Sequence, residues 1–160
     1  MSYGLFYWIH IVSYIAWLLA FVVSLVMLFR IRSGGPAPKV RSMMKAERLA
    51  TNIGAHLGAL GILISGGAMV SIPAGPQYGW FPFSGDLAWL GVKQVLFFII
   101  LVLVVFSIRR GRAFKEALAS EAEGELGGET VKKWTRAYAL SFTVYMLVLI
   151  NTVLGLTKPF

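Results

Sequence analysis

Few side chains in this 160-residue chain could do chemistry, and most of those sit inside apolar runs. There are two histidines, His10 and His56, and no cysteine, which excludes disulfides, thiol chemistry, iron–sulfur ligation and c-type haem attachment. His10 stands in YWIHIVSYIAW, where an imidazole can serve as an axial metal ligand or as a quiet interfacial side chain. Trp17 follows seven residues later on a similar helical face. Lys93 lies in WLGVKQVLFF, four residues after Trp89, and Asn151 and Lys158 come near the end of the chain. A lysine facing the interior of an apolar bundle stabilises negative charge. Near a membrane surface it can instead snorkel outward. His56, in GAHLGALG, has the competing reading of a side chain that ties packed helices together.

These residues need elements to position them, and composition indicates which. Hydrophobic residues make up 58% of the chain and charged ones 14%, against about 25% charged in soluble globular domains. Four apolar blocks, about 5–29, 51–72, 88–108 and 138–157, each match the roughly 20 residues that cross a bilayer as a helix. The fold class expected is therefore an all-α membrane protein, one four-transmembrane-helix domain over residues 1–160. The first block is too long for a cleaved signal peptide and has no basic residue before it. None of the four blocks contains an acidic residue, which counts against a cation or proton transporter.

Charge gives the orientation expected. The net charge is +8, and thirteen of the fifteen lysines and arginines lie between residues 30 and 48 or between 109 and 136. The segment 73–86 has none and is rich in aromatics, with Tyr78, Trp80, Phe81 and Phe83. By the positive-inside rule both basic segments face the cytoplasm and both termini face outward, in a bacterial cytoplasmic (inner) membrane. The partners expected for this charge are membrane lipids with anionic headgroups, and no nucleic acid. The aromatics read as an interfacial belt, with a lid or a partner contact as the alternative. Lys45, Glu47 and Arg48 are expected at the inner headgroup level, and FKEALASEAE as a surface helix. Gly54, Gly58 and Gly61 offer a small-residue face for close helix approach.

Alternating helix direction sets the depths. His10, Lys93, Asn151 and Lys158 fall in the outer half, and His56 in the inner half, roughly 12–20 Å away along the bundle. Two nitrogens on one metal are only about 4 Å apart. No single metal is therefore expected to join the two histidines, and any outer pocket should gather His10, Trp17, Lys93, Asn151 and Lys158.

Several stretches resemble the HemJ family of membrane protoporphyrinogen oxidases and the related copper-resistance protein D superfamily. WIHIVSYIAWLLAFV is similar to that family's first helix, MMKAERLATNIG to its basic lead into the second, WLGVKQVLFF to its tryptophan–lysine pattern and VLGLTKPF to its terminus. The resemblance implies a b-type haem on His10, activity linked to Lys93 and Trp89, and porphyrin contacts from Trp17, Lys93 and Lys158. It also implies oxidation of protoporphyrinogen IX, electrons passing towards quinone, and a homo-oligomer or larger membrane complex. Departures are visible. Gly91 stands where family members carry a further histidine, and RAYALSFTVY replaces the usual entry to the fourth helix. The alternative expectation is a non-catalytic accessory or assembly subunit of a larger respiratory or photosynthetic membrane complex.

Overall fold

The computed structural model of the protein describes residues 2–72, 79–122 and 125–158, apart from the side chains of Ala55 and His56. Four long helices account for nearly all of it: α1 (Tyr3–Arg32), α2 (Ala37–Ser71), α3 (Ala88–Ala119) and α4 (Gly128–Thr157), with one 3-10 turn, Gly85–Leu87, leading into α3. Each helix is long and apolar enough to cross a membrane, with mean hydropathies of 1.7–2.5 over its most apolar stretch. The protein is an integral membrane helix bundle built from two hairpins, α1/α2 and α3/α4. The first hairpin turns on Gly34 (φ +77°) and Gly35 (φ +141°), conformations that side chains disfavour, followed by Pro36 at the N-cap of α2.

On α1 the exposed residues Leu5, Trp8, Val12, Ile15, Leu19, Val22, Val26 and Phe29 alternate at spacings of three and four, which makes one continuous apolar stripe. In a bilayer such a stripe meets lipid chains. The opposite face carries Tyr14, Trp17 and Ala20 into a core shared with Ala59, Ile100, Val144 and Val148. Burying apolar area against lipid-like neighbours gains little, so close packing decides the helix contacts. The small-residue face of α2 does this. A Cβ on Gly61 would fall on the Ser13 hydroxyl, one on Gly58 would lie 3.0 Å from the Trp17 Cβ, and one on Gly54 would fall on the Ala20 Cβ. Leucine at position 54 would have to push α1 away from α2. Gly54→Leu should cost about 1–3 kcal/mol, read as a shifted midpoint for reversible unfolding in mixed micelles. An unchanged midpoint would show that this contact is dispensable.

The helices differ from the apolar blocks at one end. α2 begins at Ala37 rather than near residue 51, α3 runs to Ala119 rather than 108, and α4 begins at Gly128 rather than near 138. Apolar blocks mark where lipid contact stops. The hydrogen-bonded helix continues as long as an inward face can be buried. Val40, Met44, Phe114, Leu118, Trp134 and Tyr138 do this, closing a second core with Ile31 beyond the membrane-length stretch. FKEALASEAE is therefore not a separate surface helix: its first six residues are the last turns of α3, with Phe114 and Leu118 buried. Arg41 on α2 holds that end. Its guanidinium donates to the carbonyls of Leu118 (2.7 Å), Glu125 (2.8 Å) and Ala122 (3.1 Å), which takes up acceptors that the end of α3 leaves free.

Glu47 and Arg48 also depart from expectation. They are not at a headgroup surface but buried, at 0% and 4% exposure. Arg48 donates to both Glu47 oxygens, each at 2.6 Å. Ser24 of α1 and Thr51 of α2 donate to Glu47 Oε1, both at 2.9 Å, and the Trp134 indole of α4 donates to Oε2 at 3.1 Å. Arg48 reaches Ser141 of α4 (3.1 Å), which lies 2.8 Å from Ser107 of α3. One neutral ion pair thus ties all four helices together, with every carboxylate oxygen satisfied more than once.

Candidate functional site

At the end of the bundle that carries both termini, the hairpins diverge around a cavity of ≈ 410 Å³, within the usual range for small-molecule sites of about 300–1,000 Å³. All four helices wall it, and most of the wall is apolar, including Ile62, Leu63, Val70 and Phe97. Its polar side chains include His10 with Tyr3, Tyr7 and Tyr14 from α1, Lys93 and Gln94 from α3, and Asn151 and Lys158 from α4 and its C-cap.

Each is positioned by local structure. Ser65 of α2 donates its one hydroxyl hydrogen to the Gly61 carbonyl, so its oxygen accepts from His10 Nδ1–H at 3.0 Å. That contact fixes the orientation of the imidazole in the cavity wall. The His10 ring also packs on Tyr14, with centroids 5.3 Å apart. Lys93 does not snorkel away. Its ammonium lies 5.7 Å from the centre of the Tyr14 ring and reaches α4, where a Cβ on Gly155 would take its place. Glycine at 155 is thus what lets the lysine cross the cavity. Lys158 ends α4 in a left-handed conformation (φ +43°), which swings its ammonium to 5.5 Å from the centre of the Trp89 ring. Gln94 Oε1 accepts from the Phe81 backbone N–H at 2.6 Å, so its Nε2 is the free end, buried without a partner. Asn151 is 2% exposed and makes no hydrogen bond through its Oδ1.

The aromatic segment before α3 forms one rim. Trp80 lines the cavity and lies against Gly67, where a Cβ would be 3.7 Å from its ring. Phe81 stacks on Phe83 and packs on Phe98. Gly91 is required by this arrangement, because a side chain there would meet the Pro82 carbonyl and, at 2.9 Å, the Phe83 ring.

The site residues expected from sequence therefore divide. His10, Trp89, Lys93 and Lys158 come together, as does Asn151. Trp17 does not: it is 1% exposed, packed on Gly58 in the core below. The side chain of His56 lies outside the described residues, as do Tyr78, Pro159 and Phe160. Sequence reasoning missed Tyr14, Gln94 and Gly155. Tyr14 was legible in principle, one turn from His10, whereas nothing in the sequence singled out Gly155.

No protein-family model matches the chain, and no curated protein or solved structure is detectably similar to it. On this finding the HemJ-like, haem and oxidoreductase assignments that the resemblance implied, and the respiratory-complex assignment of the alternative, are corrected. The described residues contain no group of three or more His, Cys, Asp or Glu side chains that could hold a metal ion. Among the described residues the cavity is lined by one imidazole, His10. The related pattern's further histidine corresponds to Gly91, and the space for a side chain there is filled by Pro82 and Phe83.

Proposed function

We propose that this membrane protein binds an anionic amphiphile, holding its charged group between Lys93 and Lys158 and its apolar part along the cavity wall. One observation carries the reading: two ammonium groups converge on a mostly apolar cavity with no carboxylate among its described lining residues. Among the described residues the ion pairs are Arg41–Glu121 and Glu47–Arg48, and neither involves these lysines. Each ammonium rests on an aromatic face, a contact of about 0.5–2 kcal/mol. That offsets only part of the cost of a cation in a poorly solvated site. A ligand carboxylate or phosphate supplies the rest. A neutral quinone would accept hydrogen bonds here yet leave both charges uncompensated, so it is the weaker match.

The test is selective retention. Protein purified in mild detergent is incubated with equal amounts of oleate and oleyl alcohol and examined by native mass spectrometry. The carboxylate should be retained and the alcohol lost. Equal retention of the two would contradict the reading.

The cavity opens on the outer side of a bacterial cytoplasmic membrane in this proposal, because thirteen of fifteen basic side chains lie towards the other end. The chain has no native cysteine, so single-cysteine labelling is clean. A membrane-impermeant maleimide on sealed cells should label Gly4→Cys and spare Lys132→Cys. The reverse pattern would invert the orientation.

A further inference from the structure

We infer that a single water molecule is bound inside the bundle at Tyr145, where it extends the Glu47–Arg48 network across α2, α3 and α4. A second, small cavity of ≈ 10 Å³ lies there, lined by Thr51, Asn52, Ser107, Ser141 and Tyr145, with Val104 and Val144 as apolar walls. That volume is about the minimum that holds one water, and a bound water needs two to four polar partners.

The hydrogen-bond inventory supplies three. Tyr145 is 2% exposed, and although the Thr51 side chain is beside it, its hydroxyl completes no well-formed hydrogen bond within the protein, a state that costs about 1–3 kcal/mol if nothing satisfies it. The Thr51 hydroxyl hydrogen goes to Glu47 Oε1 at 2.9 Å. Ser141 donates to the Ala137 carbonyl at 3.1 Å while its oxygen accepts from Arg48 at 3.1 Å. Ser107 therefore donates to Ser141, at 2.8 Å. After this assignment one hydrogen is left over, on Tyr145, and acceptor capacity is left on Thr51 and Ser107. A water that accepts from Tyr145 and donates once to Thr51 and once to Ser107 closes the set with none unpaired. An apolar occupant would satisfy none of the three.

Above this point the core turns apolar, with Ile100 at 0% and Val148 at 2% exposure. The bound water is thus the innermost member of a polar chain that begins with Ser24 and Trp134 at Glu47. It is separate from the larger cavity at the other end.

Radiolytic hydroxyl-radical labelling tests this directly, because radicals formed from a bound water attack the side chain beside it. The full chain in lipid nanodiscs is exposed to a short X-ray pulse, and labelling is read by mass spectrometry. Phe114, 2% exposed in an apolar core, is the dry reference. Tyr145 should be oxidised several-fold faster than Phe114. In Ser107→Val, which fills the space and removes an acceptor, Tyr145 should fall to the reference level. Tyr145 labelled no faster than Phe114 in the unmodified protein would overturn the proposal, and that comparison stands if the variant does not fold. Undiminished labelling in a folded Ser107→Val protein would overturn it as well.

Discussion

Glu47→Ala should destabilise the bundle by about 3–5 kcal/mol, the largest effect expected from any single substitution considered for this chain. The carboxylate accepts from Ser24 (2.9 Å), Thr51 (2.9 Å), Trp134 (3.1 Å) and twice from Arg48 (2.6 Å each). Removing it strands a guanidinium that is 4% exposed and leaves three further buried donors without their acceptor. The effect is therefore far larger than that of a solvent-exposed ion pair, which is worth about 0–1 kcal/mol. Removing both charges as Glu47→Leu with Arg48→Met should recover much of the loss, because the pair's own net contribution is small once both desolvation costs vanish. Unfolding in mixed micelles of increasing denaturing-detergent fraction measures both. A single-variant loss below about 1 kcal/mol would mean that the network does not hold the helices.

The network also shows where sequence reading stops. The four spans, their apolar faces and the glycine face of α2 follow from patterns that composition and spacing expose, and Gly54, Gly58 and Gly61 do meet Ala20, Trp17 and Ser13. Glu47 and Arg48 carry no such signal. Adjacent opposite charges before an apolar block look like headgroup contacts, and only the inward faces of α1, α3 and α4 convert them into a buried pair. The same holds for the cavity. Helix direction and rise placed His10, Lys93, Asn151 and Lys158 at one depth, because depth depends only on counting residues. Rotation about the helix axis is not countable in that way. Trp17, a heptad below His10, turns into the α1–α2 contact at Gly58 instead of into the cavity. The motif resemblance finds no support in the comparisons: Lys93 and Trp89 keep the spacing, while at Gly91 the space for a side chain is taken by the Pro82 carbonyl.

The proposed recognition of negative charge in the cavity depends most on Lys93. Its ammonium is held across the cavity by the Tyr14 ring on one side and the open face of Gly155 on the other. Methionine has a similar length and fits the same apolar path without the charge. A charge-assisted hydrogen bond contributes about 1.5–3 kcal/mol, which corresponds to roughly a 10- to 100-fold change in affinity. The decisive measurement is the dissociation constant of oleate and of oleyl alcohol for the wild-type protein and for Lys93→Met in the same nanodiscs. Oleate should bind the variant roughly 10- to 100-fold more weakly, with the alcohol's affinity unchanged. Equal oleate affinity in the two proteins would contradict the claim.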